Sequence, residues 1–168
     1  MLKAALKPIY LLHIKHNFVF CQTYLLLLIA ITSSSYKVLA QATRSLVINP
    51  GIINQPLIRQ GTSGGIVTAR EISQTGNTAT GYCGGYVQLQ PNHLLKLESF
   101  FEFLRLEVDS PVDTTIIVKG PGGVWCNDDS GSANPMIEGQ WQPGVYQVWV
   151  GSYQPDSQDN YQLKIMEK

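Results

Sequence analysis

Hydrophobic and polar residues alternate in several short runs of this chain. In the run 101–108, every second residue from Leu104 onward is apolar, and the runs 146–151 and 161–165 repeat the pattern. A period of two residues is that of a β-strand with one buried face. No segment shows a helical apolar period longer than about two turns. The pattern therefore predicts strands through most of the chain.

Glycine, proline and asparagine separate these runs. The segment Gly120-Pro121-Gly122-Gly123 combines residues that tolerate positive φ with a proline that presets φ, which is typical of a tight reversal between strands. Pro143-Gly144 has the same character, and further short strands are expected at residues 64–69 and 85–89. Short strands spaced by turns predict an all-β fold, an antiparallel β-sandwich or jelly-roll-like module.

The amino terminus has the pattern of an export signal. Three lysines precede the apolar run 24–31, and small residues follow at residues 38–42, where a signal peptidase would cleave. We therefore interpret residues 1–42 as a signal peptide. Retention as an uncleaved membrane anchor is the alternative, but the run of eight residues is far shorter than the roughly 20 needed to span a bilayer. No stable membrane span is expected after cleavage.

Residues 43–168 remain after the predicted cleavage. Residues 43–56 form an extended lead-in, and residues 57–168 form one sandwich domain. The part after residue 42 contains eight basic and twelve acidic residues, a net charge of −4. Nucleic acid and anionic membranes attract clustered positive charge, so this composition argues against both as partners. The expected location is secreted, periplasmic or on the cell surface of a bacterium.

Two cysteines, Cys83 and Cys126, remain after the predicted cleavage. An even pair in an exported protein is most simply a disulfide. Closing a loop of this length would stabilise the domain by roughly 3–4 kcal/mol. Two separately buried thiols are the alternative. A zinc site fits less well, because His93 is the one histidine after residue 42 and no Cys-x-x-Cys spacing occurs.

Several segments together follow the pattern of a known module. They are Asp113-Thr114-Thr115-Ile116, Gly120-Pro121-Gly122, Asn127-Asp128-Asp129-Ser130-Gly131, Asn134-Pro135, and the run 143–151 followed by 161–163. With these motifs, residues 57–168 resemble the bacterial pre-peptidase C-terminal domain, a β-sandwich that accompanies secreted peptidases and also occurs alone. Cys126-Asn127-Asp128-Asp129 and the run 148–153 are most similar to the small stand-alone exported versions in cyanobacteria. The resemblance implies an accessory module.

Acidic and amide side chains cluster around two of these motifs. Asp109, Asp113, Asn127, Asp128 and Asp129 are hard oxygen donors of the kind that Ca²⁺ takes six to eight of. Relatives of the resembled fold bind calcium, so the resemblance implies a calcium site here. The spacing is not that of an EF-hand loop. The alternative is that these side chains bond to backbone amides and hold turns without a metal.

Two aromatic residues suggest a ligand platform. Trp149 and Tyr153 lie on the strand face opposite Tyr146, four residues apart, so their rings could form a flat surface for a sugar or a protein partner. Trp125 and Trp141 would flank this platform. The alternative is structural, since large aromatic residues commonly cover a sheet edge.

Catalytic groups are sparse in this sequence. Gly61-Thr62-Ser63-Gly64-Gly65 superficially resembles a serine-protease nucleophile segment, but His93 is the one available base and the domain is short for such an enzyme. We therefore expect no enzyme. The favoured function is an exported, non-catalytic module that binds a surface component, glycan or protein, or assists another secreted protein. A calcium-stabilised structural domain is the alternative, and a small secreted hydrolase is the weakest.

Overall fold

The computed structural model describes residues 45–51 and 55–167. The predicted signal peptide, residues 1–42, lies outside the described residues. Within this part of the chain, no helix has the length and apolar character needed to cross a membrane. The elements, in chain order, are β1 (Leu46–Ile48), β2 (Leu57–Thr62), β3 (Val67–Thr68), α1 (Ala69–Ser73), β4 (Asn77–Thr78), β5 (Gly81–Tyr82), β6 (Tyr86–Val87), β7 (His93–Leu97), β8 (Phe101–Asp109), β9 (Thr114–Gly120), β10 (Gly123–Asn127), β11 (Met136–Trp141), β12 (Gly144–Ser152) and β13 (Asn160–Glu167).

These strands form two main sheets, and the predicted all-β sandwich is confirmed. In the seven-stranded sheet, the long strand β12 is central, with β7 and β6 along one edge and β9 followed by β10 along the other. The four-stranded sheet has the order β11-β8-β13-β2. Among the described strands, β1 and β7 pair in parallel, and the other pairs are antiparallel.

The main core lies between the two sheets. The alternation predicted for the runs 101–108, 146–151 and 161–165 is confirmed, because their apolar positions are buried together there. Each fully buried aliphatic side chain contributes about 1.5–3 kcal/mol relative to exposure. The members from these runs are Phe101, Leu104, Leu106, Val108, Tyr146, Val148, Val150, Tyr161, Leu163 and Ile165.

A second, smaller core lies on the outer face of the seven-stranded sheet. There Ile117 of β9 and Trp149 of β12 are covered by the segment 69–87, which contains α1 and the β4–β5 hairpin. We call residues 69–87 the flap. Its buried apolar residues are Ala69, Cys83 and Val87, and Val87 lies on β6, where the flap joins the sheet.

Helix α1 replaces part of a strand expected from the sequence. The strand predicted at residues 64–69 ends at Thr68, because Thr68 and Glu71 form a capping box. The Glu71 carboxylate accepts a hydrogen bond from the Thr68 backbone N–H at 2.9 Å, and the Thr68 hydroxyl accepts one from the Glu71 N–H. This reciprocal pair satisfies two amides at the start of the helix. The helix ends at Gln74, which has a φ of 62°.

The predicted lead-in, residues 43–56, is partly described. Its residues Leu46–Ile48 form β1, which pairs with β7, and Ile48 is buried in the main core. The extended conformation expected here is therefore present in β1, and this strand also contributes to the sandwich.

The structure contains the expected disulfide between Cys83 and Cys126. The two Cα atoms are 5.1 Å apart, and 43 positions separate the residues in sequence. Both cysteines are buried in the second core. The bond therefore fastens the flap to β10 at the edge of the seven-stranded sheet.

Replacing both cysteines by alanine should lower the free energy of unfolding by about 3–4 kcal/mol, because the unfolded chain regains the entropy that a loop of this size removes. Urea unfolding at pH 7 would measure the loss. The oxidised protein comprising residues 43–168, which lacks Cys21, is treated with an alkylating agent in urea as the control, and its mass should not change. An unchanged urea midpoint in the double variant would contradict the stabilising role.

Candidate functional site

Three aromatic residues line a pocket where the two sheets end side by side. Trp125 lies on β10, the edge strand of the seven-stranded sheet, and Trp141 ends β11, the edge strand of the four-stranded sheet. Tyr146 on β12 forms the floor between them. The pocket has a volume of about 270 Å³. We call it the aromatic pocket.

Strand register places these rings. Trp125 lies opposite Val118, whose side chain points into the main core, so Trp125 faces the same side at the open edge. Trp141 lies opposite Phe101, after an irregularity in the β11–β8 pairing that begins at Gly139. A bulge of this kind redirects the side chains that follow it. The ring of Trp141 is therefore turned toward the gap between the sheets.

The rings contact one another in a fixed arrangement. The centroids of Trp141 and Tyr146 are 4.9 Å apart at 61°, and Trp125 lies 6.3 Å from Trp141 and 6.4 Å from Tyr146. The indole N–H of Trp141 donates to the Leu104 carbonyl, and the Tyr146 hydroxyl donates to the Gln142 carbonyl, each at 2.9 Å. The polar atoms of both rings are thus held by the backbone. Trp141 is 5% exposed and Tyr146 1% exposed, so the partly buried Trp125 supplies most of the aromatic surface that a ligand could reach.

Polar side chains form the rim of the aromatic pocket. Glu138 and Gln140 are exposed on β11, and Gln142 follows the strand. The Glu138 carboxylate accepts a hydrogen bond from the Arg105 Nε at 2.7 Å, so its charge is paired. The Gln140 amide donates to the Glu102 carboxylate at 3.2 Å. The rim is therefore polar, and its β11 side chains are paired with residues of β8.

The β9–β10 turn, whose Pro121 and Gly122 line the pocket, packs against the Tyr146 ring at Gly120. A Cβ atom on Gly120 would lie 2.2 Å from the Cδ1 atom of the Tyr146 ring. The backbone of β9 can therefore lie directly on this ring only because residue 120 has no side chain. The turn expected from Gly120-Pro121-Gly122-Gly123 is part of the pocket as well as a reversal between strands.

The predicted platform of Trp149 and Tyr153 has a different environment. Trp149 lies on the face of β12 opposite Tyr146, as expected, but it is only 4% exposed, because the flap and the disulfide cover its ring. Tyr153 follows the end of β12. Tyr153 is 42% exposed and lies beside Gly84. The structure does not bring the pair together as an exposed surface.

Trp125 and Trp141 do not flank Trp149. They lie on the opposite side of the seven-stranded sheet, with Tyr146 and the main core. Sequence reasoning missed this grouping. A local signal existed, since Trp141 and Tyr146 stand on either side of the turn at Pro143-Gly144 and so lie close in space.

The five calcium candidates fall into three environments. Asp109 accepts a hydrogen bond from the Lys164 ammonium at 2.7 Å. Asn127 uses its amide to hold a turn, accepting from Ser130 at 2.8 Å and donating to the Thr80 carbonyl at 2.7 Å. For Asn127, the contacts are those of the turn-holding alternative.

Asp113, Asp128 and Asp129 lie close enough to influence one another. Partial burial, with the nearby carboxylates of Asp129 and Asp128, raises the pKa of Asp113. Within the described part of the chain, no three His, Cys, Asp or Glu side chains are arranged to hold a metal ion. Calcium here would therefore also require backbone oxygens or water, which Ca²⁺ commonly accepts.

The groups considered for nucleophilic catalysis have other partners. The Ser63 hydroxyl is buried and donates to the Asp159 carbonyl at 3.1 Å. The Nε2 atom of His93 is hydrogen-bonded to the Tyr161 hydroxyl at 2.7 Å, across the two sheets. Burial, with a smaller effect of the Arg59 charge, lowers the pKa of His93 to about 4. His93 is therefore neutral and partly buried at pH 7.

Two known proteins are similar to parts of this chain. No protein-family model matches the chain. An uncharacterised protein of Synechococcus elongatus is 31% identical over 85 residues, which are 48% of this chain and 63% of that protein. The chain thus spans less than two thirds of this relative. The crystal structure of the pre-peptidase C-terminal domain of a Bacillus anthracis collagenase superposes with a TM-score of 0.44 at 11% identity, over 73% of this chain and 95% of that one.

Substituting Gly120 by alanine should cost about 1–3 kcal/mol, because the added methyl group overlaps the buried Tyr146 ring. Gly76→Ala is the matched control, since a Cβ there meets its nearest neighbour, Arg70, only at 3.8 Å. The control should be neutral or slightly stabilising. Midpoints of urea unfolding would measure both, and equal midpoints would show that the contact between β9 and the Tyr146 ring tolerates a side chain.

The neutral state of His93 should make stability fall in mild acid. With a pKa of about 4 in the folded protein and about 6.5 in the unfolded chain, protons bind the unfolded chain more strongly as the pH falls from 6.5. The native protein should therefore lose roughly 3 kcal/mol more than the His93→Gln variant between pH 7 and pH 4. Urea unfolding across this range measures the difference. If the free energy of unfolding changed with pH equally in the two proteins, a lowered pKa of His93 would be refuted.

Proposed function

We propose that this chain is an exported, non-catalytic β-sandwich module of the pre-peptidase C-terminal type that binds a component outside the cell. The observation that carries this proposal is the aromatic pocket. It presents the partly exposed ring of Trp125, backed by the buried rings of Trp141 and Tyr146, at an open edge of the sandwich, which is an arrangement suited to binding.

The contacts of the motif residues support the family assignment. Asp113-Thr114 and Asn134-Pro135 both belong to the resembled pattern, and the Thr114 hydroxyl donates to the Asn134 side-chain oxygen at 2.9 Å. The Thr114 backbone N–H also donates to the Ala133 carbonyl. Two motifs that lie 20 positions apart are thus hydrogen-bonded to each other. This gives a physical reason for their occurrence together.

The disulfide supports a location outside the cytoplasm, because such bonds persist in oxidising compartments. The engagement of Ser63 and His93 with separate partners supports a non-catalytic role. A binding module needs neither a nucleophile nor a base, and both groups here stabilise the fold.

Purified protein comprising residues 43–168, oxidised, should bind at least one member of an array of extracellular polysaccharides and matrix proteins in a saturable manner. The same protein unfolded by reduction in urea is the control and should lose this binding. Surface plasmon resonance would measure the affinity. An array on which the folded protein binds no more than the unfolded control would contradict a binding function.

A calcium-stabilised domain is the second candidate, favoured by the closeness of Asp113, Asp128 and Asp129. Partial burial, with the nearby carboxylates of Asp129 and Asp128, raises the pKa of Asp113, and a bound cation would favour its charged form. Millimolar Ca²⁺ should then raise the thermal midpoint by several degrees, and Asp128→Asn should abolish the rise. Asp109→Asn is the matched control, since Asp109 pairs with Lys164. A midpoint indifferent to Ca²⁺ and to chelator would remove this candidate.

A further inference from the structure

We propose that the exposed rings of Tyr82 and Tyr153, together with the carboxylates beside them, form a docking surface for a segment of another protein that carries arginine or lysine side chains. This surface is separate from the aromatic pocket. The inference goes beyond the proposed function, because it names a second site and the chemistry of its partner. It follows from the exposure of the two rings, the contacts that hold them and the charge around them.

The two tyrosine rings meet over one glycine. A Cβ atom on Gly84 would lie 2.6 Å from the Cε1 atom of Tyr82 and 3.5 Å from the Cε2 atom of Tyr153. The edges of both rings therefore converge on this position. Tyr82 is 49% exposed and Tyr153 is 42% exposed, so a partner can reach much of their surface. We call these two residues the tyrosine pair.

The backbone on both sides of the tyrosine pair is fixed. Tyr82 directly precedes Cys83, which is bonded to Cys126 of β10. The backbone N–H of Tyr153 donates to the Asp113 carbonyl at 3.1 Å. The rings are thus carried by segments that are ordered before a partner arrives, which lowers the entropy that binding costs.

Asp128 and Asp129 lie at one side of the tyrosine pair. A Cβ atom on Gly81 would lie 3.3 Å from the Asn127 Cα atom, so the flap and the end of β10 are in direct contact there. Tyr82 is the next residue on the flap, and Asp128 is the next residue after β10. Asp129 follows and is exposed. The ring of Tyr82 and these carboxylates therefore belong to one region of the surface.

Asp113 adds a third negative charge at the other side of the tyrosine pair, where its carbonyl accepts from Tyr153. Partial burial, followed by the nearby carboxylates of Asp129 and Asp128, raises the pKa of Asp113. Within the described part of the chain, the ion pairs involve none of these three aspartates. Their negative charge is therefore not compensated by the protein itself.

Arginine and lysine side chains complement both features of this surface. A guanidinium or ammonium group is attracted to the face of an aromatic ring. It also donates charge-assisted hydrogen bonds to carboxylates. A basic segment lying across the tyrosine pair would therefore contact aromatic carbon and supply the missing positive charge.

Other partners fit only part of the surface. Nucleic acid, acidic glycans and anionic membranes carry negative charge, which the three aspartates repel. A neutral glycan can stack on the rings, but it has no charge to compensate the carboxylates. A metal ion can bind the carboxylates, but it leaves the rings unused. A basic protein segment uses both.

The test is fluorescence anisotropy with a labelled peptide of alternating arginine and glycine residues, in the presence of a chelator. The oxidised protein comprising residues 43–168 should bind this peptide with a Kd on the order of 100 μM. A peptide with glutamate in place of arginine should not bind. Added NaCl should weaken the binding, because it screens exposed charges.

Variants of the docking surface should lose affinity for the arginine peptide. Tyr82→Ala and Tyr153→Ala should each weaken the binding by roughly two- to thirtyfold, the range of a cation on an aromatic ring. Asp128→Asn should weaken it as well. Tyr153 and Asp128 lie outside both cores, so these two variants should keep the thermal midpoint of the native protein even if Tyr82→Ala does not fold.

Three control variants should bind the arginine peptide normally. Phe100→Ala removes an exposed aromatic residue at the opposite end of the sandwich, since Phe100 precedes β8 whereas the loop to Asp113 follows it. Asp109→Asn removes a carboxylate that is paired with Lys164. Trp125→Ala alters the aromatic pocket and leaves the tyrosine pair intact.

The outcomes separate this inference from the proposed function. Equal binding of the arginine and glutamate peptides, or equal affinity in the native protein, Tyr153→Ala and Asp128→Asn, would overturn the docking surface. A neutral glycan of the array that requires Tyr153, with no binding of the arginine peptide, would overturn the class of partner. Array binding that requires Trp125 but not Tyr153, again without peptide binding, would overturn this inference and leave the proposed function standing. Peptide binding that requires Tyr153, together with failure of the whole array, would support this inference and contradict the proposed role of the aromatic pocket.

Discussion

Burial on both faces of β12 is the constraint on which the rest of the structure depends. From Val148 to Ser152 every residue of this strand is buried, and neighbouring residues enter different cores. Val148 and Val150 fill the space between the sheets, while Trp149 lies on the outer side under the flap. A strand in a simple two-layer sandwich would expose every second residue. This one requires a third layer over half of its length.

The flap and the disulfide supply that third layer. A segment of two-residue strands and a five-residue helix has little stability of its own. Trp149, Ile117 and the Cys83–Cys126 bond hold it on the sheet. The cover ends before the other end of β12, where Val145 is exposed. The aromatic pocket opens at that end, on the other face of the sheet. The flap that stabilises the sheet and the pocket proposed to bind a ligand therefore lie on separate parts of it.

Local patterns in the sequence predicted much of the fold. The period of two residues gave the long strands β8, β12 and β13, because their inner faces bury regularly spaced apolar side chains. The capping box of Thr68 and Glu71 was a readable signal for α1, but the flanking Gly64, Gly65 and Val67 favoured a strand there. The alternation of β12 correctly predicted which face of the strand Trp149 lies on. It could not predict that Trp149 is buried, because the segment that covers it, residues 69–87, is distant in sequence.

The candidate site could not be assembled from local patterns. Trp125 and Trp141 lie on different sheets, and only the packing of these sheets brings them to Tyr146. The irregularity after Gly139 turns Trp141 inward, and a single glycine in the sequence is not enough to predict such a bulge. The acidic residues show the same difficulty, since Asp109 is close to Asp113 in sequence but pairs with Lys164 on β13.

The position of β13 in the four-stranded sheet has a consequence for how the chain acquires this structure. β13 lies between β8 and β2, with Ile165 opposite both Leu106 and Leu57. Until residues 160–167 leave the ribosome, β2 and β8 have no strand between them, and their open edges can pair with other molecules. Contacts between such distant parts of a sequence also form slowly. The nascent chain should therefore depend on chaperones until β13 is free.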